Sequence, residues 1–274
     1  MEPYRDRALV VRRYDLGEAD RIIVLFTRNR GLVRAVAKGV RRAKSRFGSR
    51  LAPFVDVDVN IYPGKGLSTI TGADTIHTWA APLVDNYGAY TCACAALEVA
   101  ERILGEEDLA APELWDLTAQ ALSLLSGAPL AGSAVGSAAG SAAGSGDLGD
   151  SSQLSSALRP DLVLTAYILQ AMEIAGWLPS LFECAGCGKA GPHHAFSPEL
   201  GGAVCTHCRP PGADTPATEV LRLMWLLTHN SWGAIDTTAP GFESRTAQAR
   251  ILATKQLQYQ LGRRVRALDF VEAS

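Results

Sequence analysis

Short runs of Val, Ile and Leu, separated by turn residues, fill the first 80 residues of the chain. One of these runs alternates apolar and polar residues from Val55 to Ile61, which places Asp56 and Asp58 on the solvent-facing side of a half-buried strand. The whole region predicts five strands, at Ala8–Tyr14, Arg21–Thr27, Gly31–Lys38, Phe54–Tyr62 and around Leu67–Ile76. Five short strands with one long loop after the third fit a small barrel such as an OB-fold.

From residue 83 onward the apolar positions recur at helical spacing. Gly105, Gly176 and Gly262 follow the ends of three predicted helices, and Thr215 is a candidate N-cap of another. The pattern predicts an α-helical bundle with helices at Val84–Leu104, Pro112–Ser126, Pro160–Ala175, Pro216–Asn230 and Thr246–Leu261.

Two segments interrupt the helical region. Residues 127–157 are dominated by Gly, Ser and Ala, which predicts a flexible insert because this composition buries little apolar surface. Residues 181–212 are rich in Cys, Gly and Pro. We therefore expect an α+β multidomain protein with an OB-fold barrel, a helical domain and an inserted metal module, at residues 1–80, residues 81–180 with 213–274, and residues 181–212.

The net charge of −2 conceals an asymmetry along the chain. Residues 1–80 carry 15 Lys and Arg against 8 Asp and Glu, which gives +7, while residues 81–274 carry 11 against 20, which gives −9. A basic region of this kind attracts polyanions such as nucleic acid. Hydrophobic residues make up 47% of the chain and charged residues 20%, so a disordered or fibrous protein is excluded.

The positive charge is concentrated in residues 28–50, the basic segment, which has nine Lys and Arg residues and no Asp or Glu. Arg34 and Lys38 are an even number of residues apart, so both point to one face of the third strand. A single-strand binder needs cations for phosphates and aromatic rings for bases. The alternative is a solvated loop kept soluble by its charge. We expect a nucleic-acid-binding surface that comprises Arg34, Lys38, Arg41, Arg42, Lys44, Arg46, Phe47 and Arg50.

The cysteines of the module follow the spacing of a zinc ribbon: Cys184 and Cys187 form one Cys-x2-Cys pair, and Cys205 and Cys208 form the other. Four thiolates complete the tetrahedral shell of a structural Zn²⁺ and leave no position for a catalytic water. We therefore expect one structural zinc ion, although four unmetallated buried thiols are the alternative.

Other candidate ligands and catalytic groups have simpler explanations. We expect His193, His194 and His207 to be surface residues, and Cys92 and Cys94 to be core residues of a helix. The His-x-Glu and Pro-Cys-x-x-Cys pattern of zinc deaminases is absent, as are a phosphate loop, a nucleophile elbow and a dinucleotide fingerprint. The sequence therefore predicts no catalytic residue and no small-molecule substrate.

Nothing in the sequence indicates insertion into a membrane. No apolar run approaches the length of a membrane span, and charged residues stand where a signal peptide would need its apolar stretch. We therefore expect a cytoplasmic protein, in which thiols stay reduced and paired cysteines indicate a metal.

Several stretches of the chain have a specific sequence, above all Gly31–Arg42, which reads GLVRAVAKGVRR and is followed by Leu51-Ala52-Pro53-Phe54. These stretches resemble the RecO family of bacterial recombination mediators. Residues 8–21 and 258–263 are also similar to that family, so that the resemblance extends over nearly the whole chain. The Gly/Ser/Ala insert departs from the family pattern.

This resemblance implies an N-terminal OB-fold, a helical domain and a zinc module. It also implies binding of single- and double-stranded DNA, annealing of complementary strands, and loading of RecA together with RecR. A further implied partner is the acidic C-terminal tail of single-strand-binding protein, contacted by the helical domain. Such a protein would work at the nucleoid in the cytoplasm, with the cations of the basic segment as its DNA surface.

Two other hypotheses stay open at this stage. A zinc-ribbon adaptor without annealing activity would bind protein partners through its acidic helical body, where Trp225, Leu226 and Trp232 are close in sequence. An RNA-binding protein would show the same charge pattern, because composition does not distinguish the two nucleic acids.

Overall fold

The N-terminal region is a closed barrel of five strands in the computed structural model, which describes residues 2–45, 47–105, 109–128 and 159–271. The strands are β1 (Tyr4–Leu16), β2 (Asp20–Thr27), β3 (Gly31–Ala37), β4 (Val55–Tyr62) and β5 (Ser68–Thr78). Their order is β1-β2-β3-β5-β4, and β4 pairs with β1 to close the barrel. The predicted OB-like fold is confirmed.

The barrel has one weak seam. Neighbouring strands pair antiparallel over long stretches, except that β3 and β5 pair in parallel at Ala35–Ser68 and Val36–Thr69 alone. Alternate residues of each strand fill the interior, as the two-residue period predicts. The buried core includes Ala8, Val10, Ile23, Leu25, Ala35, Ala37, Val57, Val59, Ile61 and Ile70.

The long loop between β3 and β4 contributes to this core. Its apolar residues Val40, Phe47 and Leu51 are buried together with the inward-facing strand residues. Backbone hydrogen bonds from Arg42 to Gly39 and from Arg50 to Phe47 fold the loop into successive turns. The loop is therefore packed against the barrel and not merely attached at its two ends.

Three helices follow the barrel: α1 (Ala80–Val84), α2 (Tyr87–Ile103) and α3 (Ala111–Ser126). The chain divides into two compact units. Unit 1 comprises the described residues of Met1–Tyr90 and Glu106–Arg159, and unit 2 those of Thr91–Gly105 and Pro160–Ser274. Unit 1 thus contains α3 as well as the barrel, so it extends past residue 80.

Unit 2 is mainly helical. The helices α4 (Pro160–Ile174), α5 (Thr218–Thr228) and α6 (Phe242–Leu261) pack on one another, and α4 is buried without a break from Asp161 to Leu169. A small hairpin of β6 (Ala195–Ser197) and β7 (Gly202–Val204) lies in the Cys-rich segment. Two short 3-10 helices, Trp232–Ala234 and Arg266–Phe270, complete the described part of the unit.

Three predicted helix starts were wrong. Helix α2 begins at Tyr87 and not at Val84, and α6 begins at Phe242 and not at Thr246. Helix α5 begins at Thr218, and Ala217, in an extended conformation, occupies the N-cap position expected for Thr215. The C-terminal 3-10 helix is tied to α2 by the buried carboxylate of Glu98, which accepts hydrogen bonds from the backbone N–H groups of Arg266 and Ala267. An anion at the N-terminus of a helical turn satisfies donors that have no partner inside the turn.

Most of the Gly/Ser/Ala insert predicted at residues 127–157 lies outside the described residues. Within the described part of the chain, every helix is too short or too polar to cross a lipid bilayer.

Candidate nucleic-acid interface and metal centre

The basic segment runs from the end of β2 through β3 into the loop before β4. On β3, Ala35 and Ala37 face the core while Arg34 is exposed, and Lys38 is exposed directly after the strand. Arg42 and Lys44 are exposed in the loop. Among the described residues, none forms a side-chain hydrogen bond or ion pair with these four cations, so their charge faces solvent.

Many other cations of the barrel are neutralised by specific carboxylates. Arg5 forms an ion pair with Asp58, and three further arginines form pairs at 2.6–2.8 Å. These three pairs are Arg7–Asp56, Arg21–Asp15 and Arg28–Asp116. The net charge of +7 is therefore not spread evenly, and the basic segment contains four of the described cations without an ion pair, Arg34, Lys38, Arg42 and Lys44.

Two cations of the predicted surface are held by the barrel itself. An Nη atom of Arg41 donates a hydrogen bond to the carbonyl oxygen of Gly17 at 3.0 Å and lies 3.5 Å from Asp15. An Nη atom of Arg50 donates to the carbonyl oxygen of Ala73 at 3.3 Å. Both side chains stay partly exposed, so they fix the loop on the barrel and still contribute positive charge.

The expectation that Phe47 stacks on bases is contradicted by its position. Only 1% of Phe47 is exposed, because the ring fills the barrel core beside Val40 and Leu51. Apolar positions at Val40, Phe47 and Leu51 within a charged loop are a sequence signal that could have predicted this burial. Arg46, which we also predicted for the surface, lies outside the described residues.

The solvent-facing position predicted for Asp56 was wrong as well. Asp56 is fully buried, and Arg7 of the neighbouring strand donates hydrogen bonds to its carboxylate. The Arg7 guanidinium lies 4.5 Å from the centre of the Trp115 ring on α3. Burial raises the pKa of Asp56, and the hydrogen bonds from Arg7 oppose that shift. The pair is a structural element of unit 1 and not a metal or nuclease site.

The four cysteines of the Cys-rich segment converge on one point. Their Sγ atoms lie within 4.8 Å of one another, and the Sγ atoms of Cys187 and Cys205 are 3.9 Å apart. Sulfur atoms around a tetrahedral zinc ion, each about 2.3 Å from the metal, are separated by similar distances. The predicted grouping of Cys184, Cys187, Cys205 and Cys208 is therefore confirmed, and the donor set fits Zn²⁺.

Hydrogen bonds within the cluster shift the pKa values of its thiols. The N–H of Cys205 donates to the Sγ of Cys184 at 3.3 Å and lowers the pKa of that thiol to about 6. Hydrogen bonding to Cys187 and Cys205 raises the pKa of Cys208 to about 12. The two shifts are opposite because a backbone N–H stabilises the thiolate of Cys184, whereas the thiol of Cys208 is hydrogen-bonded to neighbouring cysteines. A bound cation would favour the deprotonated form of all four thiols.

The remaining Cys and His residues lie outside the sulfur cluster. His194 and His207 are exposed as predicted, but His193 is buried, with its Nε2 atom 2.9 Å from the carbonyl oxygen of Lys189. Cys92 is a core residue of α2, where burial raises the pKa of its thiol to about 12, and Cys94 is half-buried on the same helix. None of the five is among the metal-ligand candidates of the described chain.

Two family models match the chain. Residues 1–79 match the model of the recombination protein O N terminal region, and residues 152–269 match that of its C terminal region. The chain belongs to the RecO family. The RecO match extends over the barrel and most of unit 2, in the order that the sequence resemblance suggested.

Membership in the RecO family gives the chain a mediator role in DNA recombination and repair, with DNA as its ligand. RecO proteins are recombination mediators and not generally enzymes. The OB-like barrel and the cysteine cluster are both consistent with this class of protein.

Proposed function

We propose that this chain binds single- and double-stranded DNA through its basic segment and anneals complementary strands. The observation that carries the proposal is a group of four exposed cations on an OB-like barrel, Arg34, Lys38, Arg42 and Lys44, which have no side-chain partner within the described part of the chain. Arg41, Arg46 and Arg50 add charge to the same segment. Cations spaced along a strand and its loop match the repeated phosphates of a nucleic-acid backbone.

Annealing in this proposal needs no chemical step. Two complementary strands repel each other through their phosphates, and a protein that neutralises both brings them together. Positive side chains provide this neutralisation, so we propose that the chain has no catalytic residue and no small-molecule substrate.

We propose that the chain acts with RecR to help load RecA onto single-stranded DNA, and that it contacts the acidic C-terminal tail of single-strand-binding protein. We further propose that it works at the nucleoid in the cytoplasm. The resemblance of the basic segment and of the C-terminal region to RecO proteins supports these partners.

We also propose that Cys184, Cys187, Cys205 and Cys208 hold one structural Zn²⁺. The convergence of the four Sγ atoms supports this assignment. A bound zinc ion would stabilise a loop-rich segment that has a small apolar core, formed by Ala195, Val204 and two of the cysteines.

A fluorescence annealing assay tests the main proposal. Complementary labelled oligonucleotides, naked or coated with single-strand-binding protein, are mixed with the chain, and pairing is followed by energy transfer. We expect faster pairing than without protein, and a loss of this acceleration in the variant R34A/R42A/K44A. The variant R5A/R21A, which removes carboxylate-paired arginines of the same barrel, is the control. Equal rates with and without the chain would contradict annealing.

A protein-adaptor function is the second candidate, because unit 2 exposes aromatic side chains. Phe182 is 50% exposed and contacts Trp225 edge-on, and His229 stacks on Trp225 with the ring centres 4.2 Å apart. Pull-down of single-strand-binding protein with and without its acidic tail, run beside the annealing assay, distinguishes the two candidates, because the adaptor would bind the protein but not accelerate annealing. Competition between DNA and RNA strands of equal sequence tests the RNA alternative.

A further inference from the structure

A groove opens on the barrel where β3 and β5 stop pairing. Because these strands pair at two residue positions alone, the first half of β3 diverges from the β4–β5 turn. The gap is a cavity of about 840 Å³, which lies within the range of about 300–1,000 Å³ typical of small-ligand sites. Its lining includes Tyr4, Arg30, Leu32, Arg34 and Leu67.

The wall opposite β3 has a fixed shape. It is the turn Pro63–Ser68, in which a side chain at Gly64 would collide with the carbonyl oxygen of Leu67. A tight turn of this kind presents Leu67 to solvent, where 40% of the residue is exposed. An apolar side chain is therefore held at the rim of a groove that already exists without a ligand.

An aromatic ring and a guanidinium are already stacked in this groove. The Arg30 guanidinium lies 4.2 Å from the centre of the Tyr4 ring. Arg30 and Arg34 are exposed cations of the lining, and Glu2 is its one carboxylate, so positive charge is in excess. Flat stacking surfaces, apolar side chains and cations together suit a planar base joined to a phosphate.

We propose that this groove binds unpaired bases of a single DNA strand. The groove thereby gives the protein a preference for single-stranded over duplex DNA. The inference rests on the proposed DNA-binding function and adds a second contact to it. The loop cations Arg42 and Lys44 contact phosphates, which single strands and duplexes share. Bases inside a duplex are stacked on both faces and paired, so they do not enter a groove of this size.

The groove also supplies the stacking surface for bases that the buried ring of Phe47 does not provide. Tyr4 is the first residue of β1, and Arg30 lies in the short link between β2 and β3. Because β1 and β3 are not neighbours in the barrel, sequence alone does not bring these two side chains together.

Fluorescence anisotropy with three probes tests the proposal on the full chain. The probes are a thymidine oligonucleotide of about 16 nucleotides, an abasic strand of equal length and charge, and a duplex. The groove variants are Y4L, which keeps an apolar side chain, and L67S in the exposed turn. The matched controls are Y14L and L16S, because Tyr14 and Leu16 are exposed by 47% and 39% on β1 and do not line the groove.

The wild-type chain is expected to bind the thymidine strand at least about fivefold more tightly than the abasic strand, because one stacked base contributes that much. Y4L and L67S should remove this preference and leave duplex affinity unchanged, while Y14L and L16S should behave as wild type. Equal affinity of the wild type for thymidine and abasic strands would overturn the groove proposal, as would groove variants that keep the preference. Absence of binding to every probe would overturn the proposed DNA-binding function itself.

Discussion

The guanidinium of Arg7 lies 2.6 Å from the carboxylate of Asp56, which has no exposed surface at all. Two nitrogen atoms of Arg7 donate hydrogen bonds to Asp56 Oδ2, and the ring of Trp115 covers the guanidinium at 4.5 Å. Arg28 also lies against Trp115, at 5.7 Å, and pairs with the adjacent Asp116. Two arginines of the barrel region thus connect α3 to the barrel within unit 1 and are not part of the surface proposed for DNA.

Replacing Arg7 is expected to destabilise unit 1. In R7L the Asp56 carboxylate stays buried without its cation, and breaking a buried ion pair in this way costs on the order of 3 kcal/mol. Thermal unfolding followed by circular dichroism measures the loss. R5L is the matched control, because the Arg5–Asp58 pair joins the same two strands but Arg5 is largely exposed, so its loss should change the unfolding temperature little. Equal effects of the two variants would contradict a special role of the buried pair.

The stability of R7L should depend on pH in a defined direction. Burial already raises the pKa of Asp56 above its ordinary value, and R7L removes the hydrogen bonds that oppose this shift. A carboxyl whose pKa is higher in the folded than in the unfolded state binds protons on folding, so stability rises as pH falls through the folded pKa. The difference in unfolding temperature between wild type and R7L should therefore be smaller at about pH 5 than at about pH 7. A difference that widens on acidification would disprove this assignment.

The salt dependence of DNA binding should report on the exposed cations. If Arg34, Arg42 and Lys44 each contact a phosphate, the variant R34A/R42A/K44A should reduce the slope of log K against log salt by about 2–3. Anisotropy titrations at several salt concentrations measure this slope. R5A/R21A is again the control, because carboxylates already neutralise Arg5 and Arg21. An unchanged slope in the triple variant would show that the phosphates are contacted elsewhere.

Zinc should be bound by the sulfur cluster and by no other cysteine. Elemental analysis of the purified chain is expected to find one zinc ion per molecule, and none in the variant C184S/C187S. The variant should also unfold at a lower temperature, because metal binding contributes to the folding of the Cys-rich segment. C94S is the control, since Cys94 lies on α2 outside the cluster. A wild-type chain without zinc would contradict the proposal.

The barrel strands could be predicted from sequence because their pattern is local. The alternation from Val55 to Ile61 follows from side chains pointing to opposite faces, and β4 has the predicted extent within one residue. The same pattern misplaced Asp56, since its burial depends on Arg7 from another strand and on Trp115 from α3. The alternation of apolar and polar residues along one strand does not reveal such contacts with distant residues.

The metal ligands could be predicted from a local sequence pattern, whereas the pairing of cations in the basic segment depends on contacts with distant residues. The spacing of Cys184, Cys187, Cys205 and Cys208 was sufficient because two-residue gaps allow both thiolates of a pair to reach one ion. In the basic segment, the sequence shows where cations are but not which of them are paired. Phe47 was misassigned because a loop residue was assumed to be exposed, whereas three apolar side chains of that loop enter the barrel.

The burial of Phe47 has a consequence for the entropy of DNA binding. A free loop would lose conformational entropy when its cations become ordered on a phosphate backbone. Here Val40, Phe47 and Leu51 attach the loop to the core before any ligand arrives. Arg41 and Arg50 additionally hold the loop to the β1–β2 turn and to β5. The buried ring of Phe47, which cannot stack on a base, thus preorganises the charged side chains around it. The loop therefore loses less conformational entropy when it binds DNA.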